Sequence, residues 1–331
     1  MMLASVVIPA YNAEEWISET LKSVLAQTHE DLEIVLVDDG STDRTVEIAE
    51  ESLRRGRFPY RILDQPNKGA AEARNRGWQA ARGSWIQFLD ADDLLDPQKV
   101  ELQITQCLAC AADVVYSDWQ KLVLSGGAWT GDDLRAPVIG PDALADVLSD
   151  RNFLQLGSQI FRANILDLVG GFDRSHEPVE DVGLCVKIAM AGGVFVKARS
   201  NGPIAWYRDR PRSLSKSNQR RFVESCIKNA KLAEQYVREN SNYSARTVEA
   251  IVDGYYFGAR YFAEHDWSRF EEIVRDIEAL QPAFVPKTPI RLKVLSRIAG
   301  YRKAERFALL YRRGKSLGTN VWRDISARSQ K

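Results

Sequence analysis

Over its first 120 residues the chain switches repeatedly between two hydrophobic periods, and this alternation constrains the fold more than any other feature. Ala4–Ile8, Leu32–Val37, Tyr60–Leu63, Ser84–Leu89 and Asp113–Ser117 are short runs rich in β-branched and other apolar residues, the pattern of strands buried on both faces. Between them, Ala13–Ala26, a segment from about Asp43, Gly69–Ala81 and a segment opened by Asp96–Pro97 follow helical spacing. In the first of these, Trp16, Ile17, Thr20, Leu21, Val24 and Leu25 share one side. Strand and helix in strict alternation require crossover connections. The expected class is therefore α/β, with a Rossmann-like, mainly parallel sheet flanked by helices.

The middle of the chain is less regular. Gly126, Gly127 and Gly131 mark turns among short strands, Pro141–Leu148 reads as helix, and Ser158–Phe161 as strand. Asp181–Ala191 follows as a helix, then Val194–Lys197 and Ile204–Tyr207 as strands. After Ser217 only helical spacing remains, first through Phe222, Val223, Cys226, Ile227, Ala230, Ala233 and Val237. At 331 residues with 45% apolar content, the chain can bury a large core. No apolar run approaches the length of a membrane span. Met1–Ala10 has no basic region followed by an apolar stretch, so no signal peptide is expected and a reducing cytoplasm is the expected compartment. Cys107 and Cys110 form a lone CxxC in an apolar helical pattern, without a second pair at zinc spacing, and read as buried thiols.

In an open parallel sheet, ligands bind at the carboxyl ends of the strands. Three polar loops fall there: Pro9-Ala10-Tyr11-Asn12, Asp38–Asp43, and Asp90-Ala91-Asp92-Asp93. Asp38 and Asp39 close an apolar strand, where a carboxylate can accept from a base imide or a ribose hydroxyl; turn formation is the alternative. Asp90, Asp92 and Asp93 place three carboxylates in four residues, which repel one another unless a cation is present. Their hard oxygens suit Mg²⁺ or Mn²⁺, with a nucleotide diphosphate filling the remaining positions. An exposed acidic loop capping the next helix is the plainer account of the same residues. Between these loops, Asn67–Asn75 enters a helix, with Lys68 and Arg74 placed to meet phosphate or a base; a solvated helix residue is the alternative for Arg74.

SVVIPAYNAEEWI, EIVLVDDGSTDRT, NKGAAEARNRG and WIQFLDADDLLDP, in that order and spacing, resemble the family 2 glycosyltransferases of the GT-A fold. Gly170-Gly171-Phe172-Asp173 through Glu180-Asp181 resembles that family's acceptor-side segment, so the likeness extends to about Ser215. It implies a catalytic domain over residues 1–216, and the helical spacing beyond it, which the likeness does not cover, gives a helical region over 217–331. It also implies an inverting transfer of sugar from a nucleotide-diphosphate donor, a UDP-sugar by expectation, to a glycan or lipid-linked acceptor, as in cell-envelope polysaccharide synthesis. Carried over by residue, Pro9, Ala10, Tyr11, Asn12, Asp38 and Asp39 would hold the nucleoside. Lys68, Gly69 and Arg74 would line the base and phosphate side, with Ala91 beside the donor. Asp90 and Asp92 would take the metal, Mn²⁺ or Mg²⁺. Asp181, paired with Glu180 at a helix start whose dipole favours its ionised form, would be the catalytic base.

One segment departs from the family pattern. Tyr207–Ser215 has no histidine where many members carry one, and Arg208, Arg210 or Arg212 would meet the phosphates instead. A nicotinamide dehydrogenase is excluded, because no GxGxxG follows the first strand. A sugar nucleotidyltransferase lacks support for want of a glycine- and basic-rich loop there. A catalytically inactive sugar- or partner-binding relative would have no need of the acids, all of which are present.

The charge distribution carries one more expectation. Lys287–Lys331 holds 13 Lys or Arg against two acids, a net +11, leaving 32 basic and 43 acidic residues upstream, a net −11. Ile290, Val294, Ile298 and Tyr301 follow helical spacing among Arg291, Arg297, Arg302 and Arg306, with Phe307, Leu310 and Tyr311 beyond. This predicts a basic amphipathic helix lying on an anionic membrane, peripheral to its inner face. Packing of the tail on the acidic upstream region is the alternative. Nucleic acid is not expected, since no binding motif accompanies the charge.

Overall fold

The computed structural model describes residues 2–210, 216, 218–240 and 243–312. It divides into two compact units, the first running to Thr247 and the second starting at Val248. The helix Gln219–Glu239, which the periodicity groups with the C-terminal region, lies within the first unit. There Ser225 Oγ donates to the Glu177 carbonyl and Asn229 Nδ2 to that of Val179.

Eleven strands are described in chain order: β1 (Ala4–Ala10), β2 (Leu32–Asp38), β3 (Tyr60–Asp64), β4 (Trp85–Phe88), β5 (Leu94–Leu95), β6 (Val114–Tyr116), β7 (Trp119–Ser125), β8 (Ala128–Arg135), β9 (Gln159–Arg162), β10 (Phe195–Lys197) and β11 (Ala205–Arg208). Seven of them form one sheet in the order β10-β6-β9-β4-β1-β2-β3. Every pairing in it is parallel except those of β9, which runs antiparallel to both β4 and β6. The expected mainly parallel sheet is thus present, with one reversed strand at its centre. A smaller sheet, β5-β11-β7-β8, contains a hairpin closed at Gly126–Gly127.

The helices α1 (Ile17–Leu25), α2 (Thr45–Arg54), α3 (Ala70–Ala80), α4 (Lys99–Ala109), α5 (Ala143–Val147), α6 (Ala163–Val169) and α7 (Glu180–Met190) complete the α/β part. Alternate strand residues feed two cores, as the two-residue period requires. Ala4, Val6, Ile8, Ile34 and Leu36 pack with Ile17 and Leu21 of α1, Leu53 of α2 and Ile104 of α4. Val7, Val35, Val37 and Phe88 pack in the other core with Ala71 and Ala73 of α3, Leu166 of α6 and Leu184 and Ile188 of α7. Each fully buried aliphatic side chain contributes about 1.5–3 kcal/mol. Cys107 is buried and Cys110 partly so, both as free thiols.

The second unit is built from helices: most of Ala245–His265, then Trp267–Leu280, Ile290–Ala299 and residues 301–312. Its core gathers Ile251, Tyr255, Phe262, Phe270, Ile273, Val274 and Ile277. Here one sequence expectation needs correction. Tyr301 does not share a face with Ile290, Val294 and Ile298. The helix ends at Gly300, whose φ of +78° redirects the chain, and Tyr301 turns inward. It is 3% exposed and packs edge-on against Phe270 and Phe284. Among the described residues no helix is long and apolar enough to cross a membrane.

Helix α3 approaches the sheet so closely that only a residue without a side chain fits at its contact point. A Cβ on Gly77 would lie 2.3 Å from Cγ1 of Val7 and 3.2 Å from Cγ2 of Val37. Gly77→Val is therefore expected to lower stability by about 1–3 kcal/mol through overpacking, read as a reduced urea midpoint with an unchanged slope.

Candidate active site

Strands β4, β1 and β2 are adjacent and in parallel register, with Ala10 opposite Asp38, so their following loops emerge side by side. The first two loops are tied together. Asn12, in a left-handed conformation with φ of 47°, accepts from the Thr42 N–H at 2.8 Å through its side-chain oxygen. The Asn12 N–H donates to Ser41 Oγ at 3.0 Å, and that of Ala13 to Thr45 Oγ1 at 2.7 Å. Pro9 and Ala10 are inside strand β1, whereas the Tyr11 ring is 52% exposed at the rim and offers an open stacking face.

Asp38 and Asp39 are both buried, for different tasks. Asp38 accepts from the Ser41 N–H at 3.2 and 3.3 Å, folding its own loop. Asp39 accepts from Gln65 Nε2 at 2.7 Å and from the backbone N–H groups of Lys68 at 2.8 Å and Gly69 at 2.9 Å. It thus holds the entry to α3, and the Lys68 side chain above it is exposed.

The acidic loop after β4 is pinned from below, where Thr20 Oγ1 of α1 donates to the Ala91 carbonyl at 2.9 Å. Its carboxylates are held by three arginines. Arg74 of α3 donates through Nη2 to Asp90 at 2.6 Å and through Nη1 to Glu180 at 2.5 Å. Arg74 and Glu180 are each 7% exposed at the side chain, and the guanidinium also lies over Phe172, 5.5 Å from the ring centre. Arg74 therefore faces carboxylates rather than an open phosphate site, and it joins the acidic loop to the first turn of α7. Arg210 pairs with Asp92. Arg208 donates through its backbone N–H to Asp93 at 2.9 Å and through Nη1 to the Asp92 carbonyl at 2.9 Å, and pairs with Glu19. The expected arginines after the last strand do reach the site, but they meet carboxylates. Arg212 lies outside the described residues.

Several contributors were not apparent from the sequence. Gln155 donates to Asp93 at 2.7 Å, and the Arg208 guanidinium lies 5.6 Å from the ring centre of Trp16 and 5.7 Å from that of Trp129. The two indoles meet edge-on at 5.8 Å. Trp16 carried a signal, since it precedes the apolar stripe of α1, but the periodicity points it into the core. Trp129 and Gln155 arrive from a hairpin and a loop distant in sequence.

The acids outnumber their compensation. Burial, reinforced by Asp90, pushes the Asp92 carboxyl up to about 6 in spite of Arg210. Burial and the two neighbouring aspartates hold Asp93 well above the usual carboxylate range. Asp181, partly buried in the first turn of α7, rises to about 7, first through burial and then through Glu180. The sequence expectation of an ordinary ionised carboxylate at Asp181 therefore does not hold: burial and Glu180 raise it. Asp90 and Asp92, both half-buried, would offer hard carboxylate oxygens of the kind that fit a divalent cation. Among the described residues no three His, Cys, Asp or Glu side chains form a metal-binding group, so other oxygens would have to complete the shell.

Residues 5–152 match the family model described as glycosyl transferase family 2. Among curated proteins, the chain is similar to the glycosyltransferase YibD of Escherichia coli (strain K12), 39% identical over 157 residues, or 45% of each chain. The chain thus spans about half the length of that relative. Among solved structures, S. aureus TarS 1–349 in complex with UDP-GlcNAc superposes with a TM-score of 0.68 at 19% identity, covering 95% of this chain and 92% of that one. The mannosyltransferase PcManGT from Pyrobaculum calidifontis, in complex with GDP-Man and Mn²⁺, gives 0.56 at 16%, covering 94% and 87%. The fold is accordingly of the GT-A type.

The bridge made by Arg74 leads to a stability prediction. Arg74→Met removes the partner of a carboxylate that stays buried at Glu180, and breaking a buried pair in this way costs about 3–5 kcal/mol. Arg74→Lys keeps the charge but not the fork, and recovers only part of that loss. Chemical denaturation of the three proteins measures both.

Proposed function

We propose that the protein is an inverting glycosyltransferase, moving a sugar from a nucleotide-diphosphate donor to a hydroxyl of a glycan or lipid-linked saccharide. The observation that carries this reading is the Arg74 bridge, through which Asp90 of the donor-side loop and the Glu180–Asp181 pair share one guanidinium. Donor and acceptor groups then meet at one place, as a direct displacement requires.

In this reading Tyr11 stacks on the base, and Pro9, Ala10 and Asn12 shape its pocket. Asp38 and Asp39 keep that pocket in form and offer their remaining lone pairs to the nucleoside. Lys68, at the exposed entry to α3, faces the base and phosphate side with Gly69, and Ala91 keeps the acidic loop close-fitting beside the donor. Asp181 accepts the proton of the acceptor hydroxyl as the oxygen attacks the anomeric carbon, and the bond to the diphosphate breaks on the opposite side. Asp90 and Asp92 would hold Mn²⁺ or Mg²⁺, which when bound offsets the charge of the departing diphosphate. Arg210 then exchanges Asp92 for a diphosphate oxygen. A UDP-sugar is the proposed donor, in keeping with the nucleotide seen in TarS, while PcManGT binds a guanosine donor. A thermal-shift panel of UDP-, GDP- and dTDP-sugars with Mn²⁺ decides among them.

Two substitutions separate the roles. Asp92→Asn should abolish nucleoside diphosphate release while leaving the melting temperature near that of the wild type. EDTA should do the same to the unaltered protein. Full turnover in chelator would mean that Arg210 alone supplies the charge. Asp181→Asn should retain donor binding and lower kcat by about 10²–10⁴-fold. A loss of donor affinity at unchanged kcat would reassign Asp181 to the donor.

The acidic limb of the rate profile provides a further check. The carboxyl of Asp181 is surrounded by Glu180, Arg74 and Asp90, and by the thiols of Cys185 and Cys226. Because its pKa is raised to about 7, the competent carboxylate prevails above that pH and is lost as pH falls through it. The log of the rate should therefore bend downward below about pH 7. A rate flat to about pH 5, well below that raised value, would remove Asp181 as the base.

A further inference from the structure

The second unit presents an exposed apolar stripe bordered by cations. On the helix Ile290–Ala299, Leu292 and Ser296 face inward. On the opposite side Ile290 is 76% exposed, Val294 49% and Ile298 81%, at four-residue intervals, with Leu295 beside them. Arg291 lies along one edge of this stripe and Lys293 and Arg297 along the other, as helical geometry places them. Residues 301–312 repeat the arrangement. Tyr301, Ala304 and Glu305 are buried, while Phe307, Leu310 and Tyr311 are each more than 60% exposed, next to Lys303 and Arg306.

The charge is selective in its placement. Lys287 is neutralised by Glu249 and Asp253, Arg302 by Glu271 and Glu278, and Arg312 by Glu264 and Glu305. These cations hold the unit together. Among the described residues, Arg291, Lys293, Arg297, Lys303 and Arg306 have no acidic partner, and these are the ones that border the apolar stripes. Part of the basic excess is therefore consumed internally, and among the described residues the unpaired part borders the apolar side chains.

We propose that these two stripes dock on an anionic lipid surface, with Ile290, Val294, Ile298, Phe307 and Leu310 entering the acyl boundary and the five free cations meeting the headgroups. Exposed aliphatic and aromatic side chains ringed by Arg and Lys are what an interfacial helix needs. Other occupants fit less well. A second copy of the same face would bring like charges together. Residues 313–331 carry Arg313, Lys315, Arg323, Arg328 and Lys331 against Asp324 alone, so the chain's own end is also repelled. A nucleic acid would use the cations and leave the apolar side chains in water.

The proposal is independent of the sugar-transfer reading, because vesicle partition is measured without substrate. The full chain, an Ile290→Asp/Ile298→Asp variant and an Arg291→Glu/Arg297→Glu variant are floated with phosphatidylcholine vesicles, with and without about one-third phosphatidylglycerol, at low and high salt. The wild type should partition onto the anionic vesicles and be released by salt, and each variant should bind them about tenfold more weakly or less. All four substituted side chains are exposed, so melting temperatures should not change. Equal binding to neutral and anionic lipid, or variants that bind as the wild type does, would overturn the proposal. Melting temperatures lowered by several degrees would assign the face to the chain's own remaining segment. Self-association lost in the same variants, seen by sedimentation velocity, would assign it to a second copy.

Discussion

Arg74 is held between Asp90 and Glu180, and the arrangement of the site depends on that pair of contacts. A buried guanidinium needs carboxylate partners, and its fork allows two from different elements to be met at once, although the Nε of Arg74 is left without a partner. The three residues come from α3, from the loop after β4 and from α7, with Glu180 lying 106 residues beyond Arg74 in the chain. Without the bridge, Glu180 would be a buried charge with no counterpart, and the start of α7 would have no electrostatic reason to lie against the acidic loop. Asp181 is placed by the same contact, since it follows Glu180 in the first turn of that helix.

Around this bridge the rim is acidic and only partly compensated. Asp92 and Asp93 are buried beside Asp90, and the arginines that reach them come from the end of β11. Those arginines have a cost of their own: the Nε atoms of Arg208 and Arg210 are buried without hydrogen-bond partners. Arg208 is fixed between Trp16 and Trp129, which recovers some of that cost through the ring faces. Arg210 has a single ion-pair contact, lies 5.8 Å from the ring centre of Trp16, and is more exposed than Arg208.

Much of the architecture was legible because strand and helix differ in period. Strands β1 to β4 and helices α1 to α4 are long enough for apolar spacing to distinguish 2.0 from 3.6. Leu94–Leu95 is too short to show any period, and Ala163–Val169 follows β9 with no polar linker to announce a new element. The reversed direction of β9 is set by sheet pairing, which local spacing does not encode. At the site, the acids were legible as a cluster at strand ends, but their partners were not. Arg74 sits three residues after Ala71 and three before Gly77, on the buried stripe of α3, and that position was the readable sign that it is not a solvated helix arginine. Tyr301 was misplaced because a single left-handed residue, Gly300, resets the helical phase.

The antiparallel strand β9 also bears on how the chain is assembled during synthesis. It is the only connection between β4 and β6 in the large sheet, so β6 and β10 reach the other strands only through it. A nascent chain that has emerged only as far as residue 152 has neither β9 nor β10, so β4 would present one open edge and β6 both of its edges. Such edges are templates for pairing with other chains. Joining them requires contacts spanning the interval from Trp85 to Arg162, which places closure of the sheet late and makes it slow relative to the helices that form around it. An unfinished sheet of this kind, with unpaired edges exposed, is the state of the chain most prone to aggregate.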